Sequence, residues 1–416
     1  MTYIPRLADD ELASRLRRSG AVLVEGAKWC GKTETATRIA GSVIHVDTDA
    51  TVPALMEIDP NLVLDGDTPR LIDEWQWQPR LWDHVRHAVD ARKRPGQFIL
   101  TGSATSERAA RRHSGAGRFS VLRMRPLSSW ESGLSTGQVS LREVRATQTF
   151  PASPGNPVAL DRLIQALIRG GWPATADVSL EDAREYVLDY LDLLVDADLS
   201  QATGTRRDPG RMRRLLISLA RNTATTASLN TLVADAAGAE ATLTRETAAG
   251  YLRDLERLMI TEEQPAWSTA LRDTARLRKA PKRHLVCPSL AAAALGATTE
   301  RLKAEPKTLG NLFESMVIRD LRVYAQSDRG VVYHHRDSSG REIDAVIQYP
   351  NGWIACEIKL GTGAVDMAAD TLSGAVTAVD TQTMGPPDAT LILTGGGPAY
   401  RRRDGVCVVP ITMLKD

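Results

Sequence analysis

Residues 26–33 read Gly26-Ala27-Lys28-Trp29-Cys30-Gly31-Lys32-Thr33, the pattern G-x-x-x-x-G-K-T. That spacing suits the β- and γ-phosphates of a nucleoside triphosphate. Backbone N–H groups from Gly26 through Glu34 and a helix start point at the anion, Lys32 neutralises charge, and the Thr33 hydroxyl ligates Mg²⁺. Glycine is expected in the loop because a Cβ would obstruct the approach of backbone to phosphate. The competing reading is a chance match in an ordinary loop. About forty residues further on, Asp73-Glu74 ends an apolar run. Asp73 is expected to hold Mg²⁺ through water and Glu74 to polarise the attacking water. A surface acidic turn is the bland reading of that pair, and its spacing from the loop favours the chemical one. In Thr101-Gly102-Ser103 a hydroxyl can sense the γ-phosphate, with Ser103 preferred and Thr101 the alternative. Arg118 follows the glycine-bearing turn Gly115-Ala116-Gly117. An arginine that reaches a neighbour's γ-phosphate contributes ~10³–10⁵ in rate and implies a homo-oligomer. Arg108, Arg111 and Arg112 read instead as a solvated helix face.

A second constellation lies in the last hundred residues. Asp344 and Glu357 are thirteen residues apart across an expected strand pair turned at Asn351-Gly352, and Lys359 follows Glu357 by two. Residues two apart on a strand share a face. Two carboxylates and an ammonium gathered there are satisfied by a hard divalent cation, Mg²⁺ or Mn²⁺, held by Asp344, Glu357 and the Ile358 carbonyl. Lys359 would then hold the attacking water in phosphodiester hydrolysis. The alternative is a Glu–Lys ion pair on a solvated sheet.

These residues need particular elements behind them. Ala21-Val22-Leu23-Val24-Glu25 reads as a buried parallel strand before the loop, Glu34 to Ala40 as the helix after it, and Gln97 to Leu100 as another buried strand. From Leu160 the chain is helical, with Leu163, Leu167 and Ile168 at helical spacing before Gly170-Gly171-Trp172-Pro173. Further helices follow from about Glu181 and around Leu215 to Ala220. Leu229 to Ala236 and Thr244 to Leu258 look like a helix-turn-helix pair, with Met259 to Gln264 as a following wing strand. Arg206, Arg207, Arg211, Arg213 and Arg214 beside it could track phosphates, and a solvated face is the equal alternative. Leu309, Leu312, Phe313, Met316, Val317 and Leu321 mark an apolar helical stripe that carries Glu314. Val331 to Arg336, Glu342 to Ile347 and Trp353 to Lys359 read as strands.

The run G-x-x-x-x-G-K-T, Leu71-Ile72-Asp73-Glu74, Phe98-Ile99-Leu100-Thr101-Gly102-Ser103-Ala104, Gly117-Arg118 and Arg125-Pro126-Leu127-Ser128-Ser129-Trp130-Glu131 resembles the bacterial and archaeal AAA+-like ATPases that carry a C-terminal domain of unknown function. The resemblance implies an αβα core of signal-transduction-ATPase lineage, with Lys32, Thr33, Asp73 and Glu74 in the nucleotide roles, Ser103 as sensor and Arg118 at the G-R position. More loosely, it implies a winged helix in the middle. The C-terminal residues resemble the restriction-endonuclease-like D…E-x-K fold, in which Glu314 matches a helical acidic metal ligand. The sequence departs from these patterns at Ile343, where proline is usual, and at Cys287, where aspartate is usual.

Net charge is +1 over 416 residues, so any contact with nucleic acid must come from local patches rather than a global field. No apolar run approaches the ~20 residues of a membrane span, and the N-terminus lacks a secretory apolar core. The scattered Cys30, Cys287, Cys356 and Cys407 suit a reducing cytoplasm better than a disulfide framework. The expected architecture is α/β: an AAA+-like P-loop core over 1–136, a Ser/Thr/Gly/Pro-rich linker over 137–157, a helical winged-helix-bearing domain over 158–300, and a nuclease-like α/β domain over 301–416. The expected function is Mg²⁺-dependent ATP binding and hydrolysis acting on nucleic acid, DNA favoured, with a metal-dependent nuclease site. One alternative is a nucleotide-controlled regulatory protein with an inactive docking domain. Another is a sequence-specific transcription regulator.

Overall fold

A computed structural model describes residues 2–102, 115–155, 159–198, 207–237, 243–269, 279–379 and 384–416. Five short apolar strands build the first sheet: β1 (Ala21–Glu25), β2 (Ser42–His45), β3 (Arg70–Asp73), β4 (Phe98–Gly102) and β5 (Phe119–Arg123), in the order β2-β3-β4-β1-β5. Every pairing is parallel. Parallel strands are covered on both faces, which is why these runs are continuously apolar rather than alternating. In β1, Val22 and Val24 pack with Leu12, Leu16 and Ala36 from the helices Leu7–Leu16 and Lys32–Ile39. Ala21 and Leu23 face the other way, onto Val52, Met56 and Val85 of the helices Val52–Ile58 and Leu81–Arg92. All five strands run the same way, so the phosphate loop after β1 and the acidic end of β3 emerge on one edge.

The middle is helical, as the periodicity requires. The helix Leu160–Arg169 buries Leu163, Ile164, Leu167 and Ile168 and stops where Gly170 takes φ +75°. Side-chain oxygens of Ser179, Asp208, Ser228 and Thr244 accept the first backbone N–H groups of the helices Leu180–Leu193, Pro209–Arg221, Leu229–Ala236 and Arg245–Arg257. Two strands follow, β7 (Thr261–Gln264) and β8 (Lys282–Leu285), paired antiparallel.

The C-terminal sheet has the order β13-β14-β12-β11-β10-β9. It contains β9 (Val331–Arg336), β10 (Glu342–Tyr349), β11 (Gly352–Lys359), β12 (Ala389–Thr394), β13 (Tyr400–Arg401) and β14 (Cys407–Pro410). The helix Val365–Ala378 packs Leu372 and Ala375 on Ile343, Val346, Trp353 and Ala355. The long helix Pro306–Gln326 joins Ala345, Ile347, Ile354 and Cys356 in the largest core.

The first part of the stretch expected to be a linker is folded. It forms β6 (Val139–Ser140), which pairs in parallel with β15 (Leu414–Lys415), and the helix Leu141–Thr147. Val139, Leu141 and Val144 are fully buried, and Arg145 bonds Asp388 at 2.9 Å. Three apolar residues at helical and strand spacing outweighed the surrounding Ser, Thr and Gly.

Candidate functional site

The loop between β1 and the helix Lys32–Ile39 is held by its own packing. A Cβ on Gly26 would lie 2.3 Å from the Met124 carbonyl oxygen, and Gly31 takes φ +102° at the helix N-terminus. Both glycines therefore serve the local fold, a reason distinct from the expected clearance for phosphate. Ala27 and Cys30 are fully buried, Trp29 is 69% exposed with φ +62°, and Glu34 is exposed. The Lys28 carbonyl accepts from the Tyr190 hydroxyl at 3.5 Å, which brings the middle helices to the loop.

Lys32 is buried, and its Nζ donates to the Gly26 and Ala27 carbonyls at 3.0 and 2.9 Å. Uncharged carbonyls are its partners, so the ammonium remains available to an anion in the loop. Across the edge, Asp73 Oδ1 accepts from Thr33 Oγ1 at 2.9 Å and from Thr101 Oγ1. His45 Nδ1 lies 3.0 Å from the other Asp73 oxygen. The structure thus joins Lys32, Thr33 and Asp73 in one cluster and adds His45, which sequence reasoning missed. The clue was positional: His45 ends β2 level with Asp73 on β3. Hydroxyl and carboxylate oxygens are the donors Mg²⁺ takes, so the residues fit the ion.

Glu74 has φ +52°, uncommon for a non-glycine residue, and it accepts from the Gln76 amide. Burial raises its carboxyl above the ordinary range, and the Lys32 charge opposes that shift. Thr101, the alternative sensor, is the hydroxyl found on Asp73, whereas Ser103 lies outside the described residues.

Arg118 sits elsewhere. It precedes Phe119, which pairs with Ala21 at the far end of β1, and it bonds Asp90 at 2.6 Å. The length of β1, roughly 13 Å at 3.3 Å per residue, separates it from the loop of its own chain. In this structure Arg118 is therefore not part of the phosphate-loop cluster of its own chain.

A buried clamp backs the loop. Arg6 donates to the Cys30 carbonyl at 2.8 Å, to the Arg125 carbonyl at 2.7 Å and to Glu131 at 3.1 Å. Glu131 also accepts from the backbone of Leu7 and Ser128. Burial would raise its carboxyl, but Arg6 and these donors bring it below its ordinary value. Beside it the Ser129 N–H donates to Asp320 and the Trp130 N–H to the Tyr324 hydroxyl, tying the segment to the helix Pro306–Gln326.

Asp344 and Glu357 are neighbours across β10 and β11 when the register is continued by one step from Ala345 and Cys356. Lys359 Nζ bonds Glu357 Oε1 at 2.7 Å and lies 3.8 Å from Asp344. The Ile358 backbone meets the site through its N–H, which donates to Asp344 at 2.9 Å. Glu314 joins them through a residue the sequence reading did not include. Lys282 on β8 bonds Glu314 at 2.6 Å and stands 3.6 Å from Asp344. Burial pushes both Glu314 and Glu357 up to about 7. Burial lowers the ammonium of Lys282, but Glu314 and Asp344 outweigh it and leave it raised. Among the described residues, no three His, Cys, Asp or Glu side chains are grouped to hold a metal ion. The ammonium groups of Lys282 and Lys359 thus stand among the expected ligands Glu314, Asp344 and Glu357. Glu357 Oε2 is buried without a hydrogen bond.

The basic cluster is largely neutralised. Arg207 pairs with Asp254 at 2.6 Å, and Arg213 pairs with Asp192 and Asp196 at 2.9 and 3.0 Å. Arg206 lies outside the described residues. The expected wing strand is docked as well. Glu262 binds Arg125 at 2.6 Å and Arg322 at 3.4 Å, and Gln264 donates to the Tyr333 and Asp344 carbonyls. At the expected aspartate position, the Cys287 sulfur accepts from the Gly171 N–H at 3.3 Å.

Comparisons with known proteins agree with the first of these sites. Residues 18–132 match an AAA domain family, residues 160–301 a domain of unknown function, DUF8612, and residues 309–414 another, DUF4143. The AAA match and the parallel sheet together support a P-loop core that binds and hydrolyses ATP. Two relatives are each 27% identical over 360 residues, covering 85% of this chain and 73% of theirs: the uncharacterized proteins Mb2031c of Mycobacterium bovis and Rv2008c of Mycobacterium tuberculosis. The Walker-type ATPase PABY2304 of Pyrococcus abyssi is similar at 12% identity and a TM-score of 0.43, over 70% of this chain and 96% of that one. No described helix is long and apolar enough to cross a membrane.

Proposed function

We propose that the chain is a Mg²⁺-dependent ATPase whose turnover acts on nucleic acid, DNA favoured, in the cytoplasm. The observation that carries the ATPase reading is the convergence of Thr33, Thr101 and His45 on Asp73, with Lys32 in the loop and Glu74 next in sequence. The loop from Gly26 to Glu34 would grip the β- and γ-phosphates, with Lys32 exchanging carbonyl partners for phosphate oxygens. Mg²⁺, held at Thr33 and Asp73, would neutralise charge developing on the phosphates. Glu74 would accept a hydrogen bond from the attacking water and orient it, with Gln76 fixing its carboxylate. Arg118 would serve the nucleotide of a neighbouring copy. ATP hydrolysis measured with and without single- and double-stranded DNA and RNA tests the whole reading. Stimulation by one of them supports it, and unchanged turnover refutes the nucleic-acid part.

Lys282 favours a second reading of the C-terminal domain. With its ammonium between Glu314 and Asp344, the nuclease-like arrangement of Asp344, Glu357 and Lys359 would be hydrolytically silent and the domain would serve as a nucleotide-controlled docking module. Mg²⁺- or Mn²⁺-dependent cleavage of DNA or RNA that Lys359→Ala abolishes would restore the nuclease reading. Absent cleavage with nucleotide-dependent partner capture that survives Asp344→Ala would support the silent one.

A further inference from the structure

We infer that the cleft between the segment 129–134, the helix Leu160–Arg169 and the helix Pro306–Gln326 is a second anion site, one that takes a small phosphate-bearing molecule. The cleft has a volume of about 270 Å³ and shares no residue with the phosphate loop. Arg162, Arg169 and Arg319 line it together with Ser129, Ser132 and Gln165, and no Asp or Glu is among its lining residues.

The three guanidinium groups are held differently. Arg319 is buried, with its Nε and Nη2 on Asp320 at 2.9 and 2.7 Å. That carboxylate is itself fully buried, which fixes the guanidinium plane while its Nη1 meets only the Cys287 sulfur at 3.9 Å. Arg169 spends Nη1 on the Thr175 and Val178 carbonyls, so its position is set by neutral acceptors, and it makes no ion pair among the described residues. Arg162 is exposed at the mouth and makes no ion pair among the described residues. One guanidinium paired with Asp320, one held by neutral carbonyls and one free at the mouth leave net positive charge in the cleft, which favours a multiply charged oxyanion. Guanidinium forks match phosphate oxygens in pairs. The volume lies near the lower end of small-molecule sites, ~300–1,000 Å³, which suits a metabolite rather than a polymer backbone.

The walls connect the site to both others. Ser129 adjoins Glu131, which holds Arg6 on the phosphate-loop carbonyl of Cys30, while Met316 and Arg319 lie on the helix that carries Glu314. An anion here would bind at the joint between the ATPase core and the C-terminal domain.

The test uses the full chain carrying Lys32→Ala, so that the phosphate loop does not contribute. Pyrophosphate, orthophosphate and adenosine monophosphate are titrated separately by calorimetry. Saturable binding of any of them at one site, weakened about tenfold or more by Arg162→Glu and partly restored by Arg162→Lys, is the expected result. Uptake of the inorganic anions alone would identify free phosphates as the ligand class, and preference for the monophosphate a nucleotide. Gln165→Glu, another exposed change at the mouth, should weaken binding in the same direction. No saturable uptake, or equal uptake by the parent, Arg162→Glu and Gln165→Glu proteins, would overturn the assignment.

Discussion

Glu74 and Gly26 show how differently two residues of one site fail. Replacing Glu74 by Gln keeps the Gln76 contact and the fold while removing the charge that orients water. ATP affinity should stay within a few-fold as turnover drops by ~10²–10⁴, which a radiolabelled binding assay alongside phosphate release would show. Because burial raises the Glu74 carboxyl, its protonation should depress turnover from a higher pH than an ordinary glutamate would. A pH profile of turnover in the parent protein checks that direction. Gly26→Ala presents a different case. Its methyl would strike backbone at Met124, which cannot rotate aside, so a destabilisation of ~1–3 kcal/mol is expected by chemical denaturation. Lys32→Ala should abolish nucleotide binding.

The β7–β8 ribbon is the element that joins the parts. Through Glu262 it holds Arg125 of the ATPase core and Arg322 of the long C-terminal helix, and through Lys282 it enters the acidic cluster. Burial would raise the Glu262 carboxyl, but Arg125 and Arg322 hold it well below its ordinary value. Glu262→Gln removes the negative charge that pairs with buried Arg125 and Arg322 and should cost ~3–5 kcal/mol, read as a fall in the urea midpoint. Much of this architecture was legible in the sequence. Runs of apolar residues at strand and helical spacing marked β1, β4, β9 to β11 and the helices from 160 to 257. That Lys32, Thr33 and Asp73 lie in one cluster followed from their spacing. His45 and Lys282 were not legible, because each reaches its site by strand pairing or docking across long sequence distances that no local pattern encodes. Neither was the folding of 137–155, whose partners lie near residue 400. The position of Arg118 required the sheet register, since strand direction decides which edge it occupies.

At the level of the whole molecule, charge state couples to stability. Glu314 and Glu357 are raised from 4.5 to about 7, so the folded chain retains protons that the unfolded chain has lost. Their contribution is therefore fully present below about pH 4.5 and is lost as pH rises through about 7. Glu357→Gln should flatten the dependence of the melting temperature on pH across that interval, and an unaltered slope would contradict the burial argument. Assembly offers a second whole-molecule test. If Arg118 serves a neighbour, mixing Arg118→Ala with Lys32→Ala protein should recover part of the turnover absent from each alone. Finally, β6 pairs with β15, and the Ser140 hydroxyl donates to the Asp416 carbonyl at 2.6 Å. A ribosome would release residues 137–147 some 270 positions before their partner exists. The nascent ATPase core must therefore emerge with an apolar trailing edge that waits until residues 414–416 have been made, and that interval is when a chaperone would have most to do.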